Sequence, residues 1–401
     1  MLRRVSLVVS SLLGLTVVMA GCGSKPVVGI LLPTTGAAAS YGEAIESGIR
    51  LALSEARDRQ ELPAELEIVW ADTGSDNAQA IAELRRMVDE RGVKMIIGGA
   101  TSAEASALLP GLDELNIICV SPSASAPGLA QRSRMFFRIY PSDELEGYTA
   151  GKFLYEKLRQ HRIVLFVGDT EYTRGIEPEF RKQYEEAAGG EIVERIDITE
   201  EDWRQRAAPA LARTDAVYII GFAEEVLDVL NLLQETQFSG RVVTTSAFYS
   251  TRVILEAGDV AQGVLFPLAP FDRTAEKPAE LVDFVNRYMD TYQRAPDVFA
   301  AHGYDAMRLT LRALAIAKPP ETTEIFKALH YGVSELKGVT GPILFDDYGD
   351  VKHYPKMFII DNGQILTYSR YLKIKRHQIM TEVQALLNLE GEPTPTPTAR
   401  R

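Results

Sequence analysis

The sequence predicts an α/β protein made of two doubly wound lobes. Three observations carry this expectation. Short apolar runs alternate with longer segments of helical periodicity, which implies parallel sheets covered by helices on both faces. The alternation runs from residue 27 to residue 120, restarts near residue 149 and continues to residue 245. The chain has 401 residues, and a prior of roughly 150 residues per domain suggests two or three domains.

Composition agrees. Hydrophobic residues make up 46% and charged residues 24%, which excludes a wholly disordered, collagen-like or coiled-coil chain. There are 43 Lys and Arg against 55 Asp and Glu, a formal net charge of −12. That balance argues against binding to nucleic-acid backbones, which needs clustered cations.

The elements follow in order. Residues 27–32 read as a strand, and residues 41–57 as a helix with Ala44, Ile45, Ile49, Ala52 and Leu53 on one stripe. Strand 66–70 and helix 77–91 come next, the helix carrying Ile81, Leu84 and Val88 on one face. Strand 95–97, helix 103–115 and strand 117–120 complete the first run. The second run has helix 149–158, strand 163–167, helix 178–188, strand 191–196, helix 202–213, strand 216–220, helix 224–236 and strand 241–245. Helices 282–293 and 300–318 follow, and Lys318-Pro319-Pro320 stops the second. Residues 342–345 and 357–360 read as late strands, and Asp361-Asn362-Gly363 is a hairpin turn that makes the C-terminal strands antiparallel. From residue 390 alternating Pro and Thr predict an extended tail.

The beginning of the chain reads as a targeting segment. Arg3 and Arg4 precede residues 5–21, an uncharged apolar run of 17 residues. A spanning helix needs about 20. Met19-Ala20-Gly21-Cys22 resembles the lipobox of bacterial lipoproteins, in which the cysteine becomes the first mature residue and carries lipid. The bland alternative is an ordinary cleaved signal. Removing Arg3 and Arg4 takes the charge from −12 to −12 − 2 = −14. With Cys22 lipidated, Cys119 stands alone in the apolar run Asn116-Ile117-Ile118-Cys119-Val120 and is expected to be a buried, inert thiol.

Catalytic signatures are missing. The loop after the first strand, Pro33-Thr34-Thr35-Gly36-Ala37-Ala38-Ala39-Ser40, lacks the glycines a dinucleotide needs. No phosphate-cradling loop and no nucleophile elbow occur. His161, His302, His330, His353 and His377 show no metal-ligand spacing. Asp346-Asp347-Tyr348-Gly349-Asp350 is explained more simply as an acidic turn than as a cation site. The reading is therefore of a binding protein, with no catalytic residue, no cofactor and no metal.

What is present is a set of small, hydroxyl-rich loops after strands: Gly98-Gly99-Ala100-Thr101-Ser102 and Ser121-Pro122-Ser123-Ala124-Ser125-Ala126-Pro127. Ligands of open α/β sheets bind beyond the carboxyl ends of strands. Ser102 opens a helix, whose exposed N–H groups suit a carboxylate. Plain capping and turn chemistry is the competing explanation for each loop taken alone.

These loops, with Ala39-Ser40-Tyr41-Gly42-Glu43, Phe137-Arg138 before Pro141-Ser142-Asp143, Asp169-Thr170-Glu171-Tyr172-Thr173-Arg174-Gly175, and Asp215-Ala216-Val217-Tyr218 with Gly221, occur in an order that resembles the leucine/isoleucine/valine-binding proteins. The resemblance covers residues 26 to 370. It implies a type I periplasmic binding fold: two Rossmann-like lobes joined by three crossovers, with a ligand cleft between them. The expected layout is a signal peptide at 1–21, a lipidated tether at 22–26, lobe one from 27–142 plus 271–339, lobe two from 143–270 plus 340–385, and a disordered tail at 386–401. The resemblance implies ligand contacts from Tyr41, Ser102, Ser123, Ala124, Ser125, Tyr172 and Phe222. Phe248, taken as a ligand contact, and Tyr249 are read from the residues as an apolar or stacking wall, with a place in the core as the alternative for either. The resemblance also implies hinge closure on an amino acid or related carboxylate metabolite, delivery to the permease and ATPase subunits of an ABC importer, an extracytoplasmic site of action on a lipid anchor, no nucleic-acid partner and a monomer. A ligand-sensing receptor on the same fold is the alternative, and an extracytoplasmic enzyme a remote one.

One departure stands out. Amino-acid binders of this kind place a carboxylate after the strand at 241–245 to meet the ligand ammonium, and here Thr245-Ser246-Ala247-Phe248-Tyr249 carries no acid. Burying an ammonium without a counter-charge is costly. Either another acid, such as Asp305 or Glu224, reaches in, or the ligand lacks a cationic amine. The sequence favours the second option.

Overall fold

Apolar runs become strands wherever both faces can be covered. The computed structural model describes residues 25–390, apart from residues 64, 250–253, 255–256, 274, 276–277 and 334–335. The signal segment, Cys22 and the Pro-Thr tail from residue 391 lie outside the described residues. In lobe one β1 (Val27–Leu32), β2 (Glu67–Asp72), β3 (Met95–Gly98), β4 (Ile118–Ser121) and β5 (Phe136–Arg138) form a parallel sheet in the order β2-β1-β3-β4-β5. Cys119 is fully buried in β4, its thiol facing the Gly98 carbonyl at 3.6 Å, and burial pushes its pKa up.

The helices α1 (Ala39–Asp58), α2 (Asn77–Arg91) and α3 (Ser102–Leu115) start and stop on local chemistry. Asp76 caps α2, which ends at Gly92 in the left-handed region at φ 65°. Thr101 and Glu104 close a capping box on α3. Helix Val298–Ile316 packs across α1 at very close range. A Cβ on Gly48 would fall 2.0 Å from the Ala300 carbonyl oxygen, and one on Gly303 would fall 2.3 Å from that of Ile45. Glycine is required at this crossing for space.

Lobe two begins with α4 (Glu144–Lys152), β6 (Arg162–Val167), α5 (Glu171–Arg181), β7 (Glu191–Asp197), α6 (Trp203–Leu211), β8 (Ala216–Ile220), α7 (Ala223–Glu235), β9 (Arg241–Thr244) and β10 (Leu265–Leu268). The chain then returns to lobe one for helices Ala279–Tyr292, Val298–Ile316 and Thr322–Lys327, whose apolar faces join the lobe-one core. The short pair β11 (Lys337–Gly338) and β12 (Gly341–Pro342) begins the third crossover. Finally β13 (Lys356–Asp361) and β14 (Gln364–Thr367) add an antiparallel edge, giving the order β14-β13-β10-β9-β8-β6-β7. Asn362 and Gly363 turn this hairpin at φ 50° and 70°, the left-handed pair that a two-residue turn requires.

Some expectations need correction. Residues 342–345 do not form a strand of the terminal hairpin. Ile343 is buried in the lobe-one core, and Phe345 meets Phe137 at 5.2 Å, so lobe one continues past residue 339. Helix α4 starts at Glu144 and α5 at Glu171, earlier than their apolar stripes suggested. Strands β5 and β10 and helices Thr322–Lys327 and Tyr368–Glu390 were not anticipated. The last of these occupies part of the segment expected to be a disordered tail.

Arg138 ties the crossovers together. Its side chain is fully buried and forks onto Asp350, with Nε 2.7 Å from Oδ1 and Nη2 2.9 Å from Oδ2. Its Nη1 donates to the carbonyl oxygens of Ala126 at 2.8 Å and Ala124 at 3.4 Å. The Arg138 N–H donates to the Gly349 carbonyl at 2.8 Å, and Val351 N–H donates to that of Arg138 at 3.0 Å. One guanidinium thus joins the loop after β4, the end of β5 and the third crossover. The acidic turn serves the same purpose. Asp346 Oδ1 accepts the N–H groups of Tyr348, Gly349 and Asp350, each at 2.9 Å.

Removing one partner of a buried ion pair strands the other charge. Asp350→Ala is expected to cost about 3–5 kcal/mol of unfolding free energy, read by urea denaturation. The double variant Arg138→Met with Asp350→Leu should cost less than that single change, because no charge is left unpaired.

Candidate functional site

The two sheets point the carboxyl ends of their strands at one another across a cleft. A cavity of about 420 Å³ lies there. Lobe one contributes Tyr41, Ala100, Thr101, Ser102, Ser123, Ser125, Ala126 and Phe299. Lobe two contributes Tyr172, Phe222, Ser246, Ala247, Tyr249 and Leu268, and the first crossover contributes Tyr140 and Asp143. Another hollow of about 420 Å³ lies on the flank of α1 and helix Val298–Ile316, away from these strand ends.

The lobe-one side is built from hydroxyls and helix geometry. Asp72 organises the loop that leads to Tyr41. It accepts the N–H groups of Thr34, Thr35 and Gly74 and the Thr35 hydroxyl. Slight burial pulls its pKa upward, but these bonds outweigh it and hold the carboxyl at about 2. Ser102 is the first residue of α3, and its Oγ accepts the N–H groups of Ser125 at 3.2 Å and Ala126 at 3.0 Å. With its lone pairs engaged, the hydroxyl proton is free to donate into the cleft. Among the described residues the N–H groups of Ser102 and Ala103 have no hydrogen-bond acceptor, as expected at a helix start. This corner presents donors and a positive helix end, the arrangement that receives a carboxylate.

The floor is acidic. Asp143 is 2% exposed and Glu146 is 3% exposed. Glu146 Oε2 accepts the Ser246 N–H at 3.1 Å and the Tyr172 hydroxyl at 3.2 Å. The Asp143 carboxyl takes the Ser125 hydroxyl, while its N–H donates to the Ser125 carbonyl at 2.8 Å. Burial raises the Asp143 pKa to about 7 against the pull of the Ser125 hydroxyl and the Arg138 charge. Burial first, then repulsion from Asp143, raises Glu146 to about 8 despite its bonds to Ser246 and Tyr172.

Aromatic rings form the walls. Tyr41 meets Phe299 edge-on at 4.7 Å, and Tyr140 stacks on Phe299 at 6.3 Å. Across the cleft Tyr172 stacks on Phe222 at 5.0 Å. The rims of the lobes meet where a Cβ on Gly175 would lie 2.6 Å from Pro127 Cγ.

The structure therefore brings Tyr41, Ser102, Ser123, Ser125, Tyr172 and Phe222 to one cavity. Ser123 reaches it with its hydroxyl turned away, donating to the Ala100 carbonyl at 2.6 Å. Ala124 is 1% exposed and faces the lobe-one core. Phe248 is fully buried in the lobe-two core near Phe266, so the cleft receives its neighbours Ser246, Ala247 and Tyr249 instead. Neither acid suggested as a substitute reaches in. Asp305 is fully buried and accepts the N–H groups of Val339 at 3.0 Å and Thr340 at 2.9 Å, securing the third crossover. Glu224 is exposed at the start of α7. Sequence reasoning missed Tyr140, Phe299 and Leu268, which look like ordinary apolar positions, and it missed the acids at 143 and 146. Asp143 lay inside a quoted motif, but nothing local distinguished its role from a helix cap.

A family model described as periplasmic binding protein matches residues 26–362. The chain belongs to the periplasmic binding protein family. Proteins of this family bind solutes outside the cytoplasm and are not enzymes. The leucine-, isoleucine-, valine-, threonine-, and alanine-binding protein of Pseudomonas aeruginosa is 24% identical over 326 residues, spanning 80% of this chain and 86% of its relative. A branched-chain amino acid transporter substrate-binding protein of Streptococcus pneumoniae, solved with isoleucine, is 25% identical with a TM-score of 0.71, covering 85% of this chain and 97% of that one. A solute-binding protein of an ABC transporter from R. palustris, solved with benzoate, shares the fold at a TM-score of 0.69 and 20% identity, covering 85% of this chain and 95% of that one.

The acidic floor of this periplasmic binding protein sets the sign of a pH effect. Both carboxyls have raised pKa values in the fold, so the native state keeps protons that the unfolded chain releases above pH ~4. Their contribution to stability is full below that pH and is lost as pH rises through about 7 and 8. Without added ligand, the melting temperature of wild type should therefore fall relative to that of Glu146→Gln as pH rises from about 5 to 8. Parallel melting curves against pH would contradict the raised value.

Proposed function

We propose that this protein binds a small carboxylate-bearing solute in the cleft, closes its lobes over it and presents the closed form to an ABC permease. The observation that carries this is the donor corner at Ser102, set opposite the Tyr172–Phe222 wall of the other lobe. Closure traps the ligand between the two sheets and shifts an open–closed equilibrium that a membrane partner reads. Transport draws its energy from separate ATPase subunits, because the sequence contains no ATP-binding loop. The ligand chemistry is an amino acid or a related carboxylate. The aromatic walls suit an apolar side chain, in keeping with a relative solved with isoleucine and another solved with benzoate.

Mass spectrometry of what co-purifies with the protein, followed by calorimetric titration of that compound, tests this reading. Ser102→Ala removes the hydroxyl donor to the ligand carboxylate, and a hydrogen bond to a charged group contributes about 1.5–3 kcal/mol, so affinity should fall roughly 10- to 100-fold. Gly175→Val should also weaken binding, by pushing against Pro127 at the closing rim. It should enlarge the radius of gyration of the ligand-bound protein in solution scattering. Unchanged affinity in both variants would place the ligand elsewhere.

We also propose that Cys22 carries a lipid that holds the protein at the membrane surface. Radiolabelled fatty acid should enter the wild-type protein and be absent from Cys22→Ser; equal labelling rejects the anchor.

A further inference from the structure

The strand-end loop Thr245 to Tyr249 contains no acid, yet a carboxylate is delivered to it from another part of the chain. The Ser246 N–H, at the start of that loop, donates to Glu146 Oε2 at 3.1 Å. Glu146 stands on α4, one turn past the first crossover, and Asp143 lies directly before that helix. Among the described residues neither carboxylate has a Lys, Arg or His partner within ion-pair distance. Arg138 is the cation that acts on Asp143, and its fork is committed to Asp350. Two buried carboxyls without a cation cannot both stay ionised at low cost.

We propose that Asp143 and Glu146 share a proton in the ligand-free protein and release it when a cationic amine of the ligand is seated against Asp143. This rests on the reading of the cleft as a carboxylate-binding site. Ser125 sets the spacing. Its N–H donates to Ser102, in the donor corner, and its hydroxyl goes to Asp143, in the acidic floor. The two poles are thus joined through a single residue, Ser125, so one ligand carrying both a carboxylate and an amine can reach both. The balance is simple. One proton leaves the pair for solvent, the pair passes from one negative charge to two, and the ammonium supplies one positive charge. The other charged and titratable groups around the pair are Arg138 and Glu144 on either side of Asp143, with Tyr140, Tyr172 and Tyr218 facing Glu146. Burial holds the phenols of those three tyrosines protonated, and Arg138 stays paired to Asp350, so the carboxyls supply the proton. Glu146 also accepts from Tyr172 and Ser246, its neighbours in lobe two that line the cleft, so a change in its charge is felt on that wall.

The test is calorimetric titration of the purified protein with the twenty L-amino acids and, for each that binds, the same acid lacking its amine. Each titration is run at pH 7 in two buffers of different ionisation enthalpy, which counts the protons released. At least one amino acid should bind with release of about one proton, and its affinity should fall roughly tenfold per pH unit on acidification from pH 8 to pH 6. Glu146→Gln should reduce the proton count at pH 7 while binding persists, an outcome that a purely structural role would not produce. Binding of an amino acid with no proton release, an unchanged count in Glu146→Gln, or binding of amine-free acids alone overturns the proposal. In those cases an intact loss of affinity in Ser102→Ala leaves the cleft reading standing. Failure of every carboxylate to bind counts against both.

Discussion

The buried Arg138–Asp350 fork is the constraint on which the rest of the cleft depends. The guanidinium sits at the end of β5, where the chain leaves lobe one, and its partner lies in the last crossover, some two hundred positions later in the chain. The same side chain holds the carbonyls of Ala124 and Ala126. That fixes the loop whose N–H groups engage Ser102, and it fixes the start of the segment that carries Asp143. A buried arginine is tolerated because its donors are satisfied by one carboxylate and two carbonyls in good geometry. The loop after β4, the end of β5 and the third crossover are therefore tied into one joint.

This joint explains why the two poles of the site are close together yet chemically opposite. The donor corner is made by a helix start and by backbone groups, which need no buried cation. The acidic floor is made by Asp143 at the end of the first crossover and Glu146 on the first turn of α4, and the loop after β9 carries no acid. Asp143 lines the cleft beside Ser125. Glu146, on α4 of lobe two, joins the helix that follows the crossover to Tyr172 and Ser246 of the same lobe.

Most of the candidate site was legible in local chemistry. Ser102 was recognisable because two hydroxyl-rich loops follow adjacent strands, where capping chemistry alone is a weaker explanation than for either loop singly; Tyr41, Ser125 and Tyr172 stood in motifs of recognisable order, and Phe222 lay next to one. Phe248 shows the limit. It is next to cleft-facing residues in sequence, but a short 3-10 turn over Ser246–Phe248 rotates its ring into the lobe-two core. Phe299 shows the converse, an apolar residue on a helix that lies beside Tyr41 only after the chain has returned to lobe one.

The sequence by itself determined the parallel α/β rhythm, the terminal hairpin, the donor corner and the absence of an acid after β9. These rest on periodicity, capping and turn chemistry, which act over a few residues. Only the tertiary structure decided where each crossover ends, which aromatic rings face the cleft, and that Glu146 reaches Ser246 from a hundred residues away. Burial also raises the pKa values of Asp143 and Glu146, since the pKa of a carboxyl depends on the solvent and charges around it more than on its neighbours in the chain. The loop after β9, which lacks an acid in sequence, is met in three dimensions by Glu146 of α4.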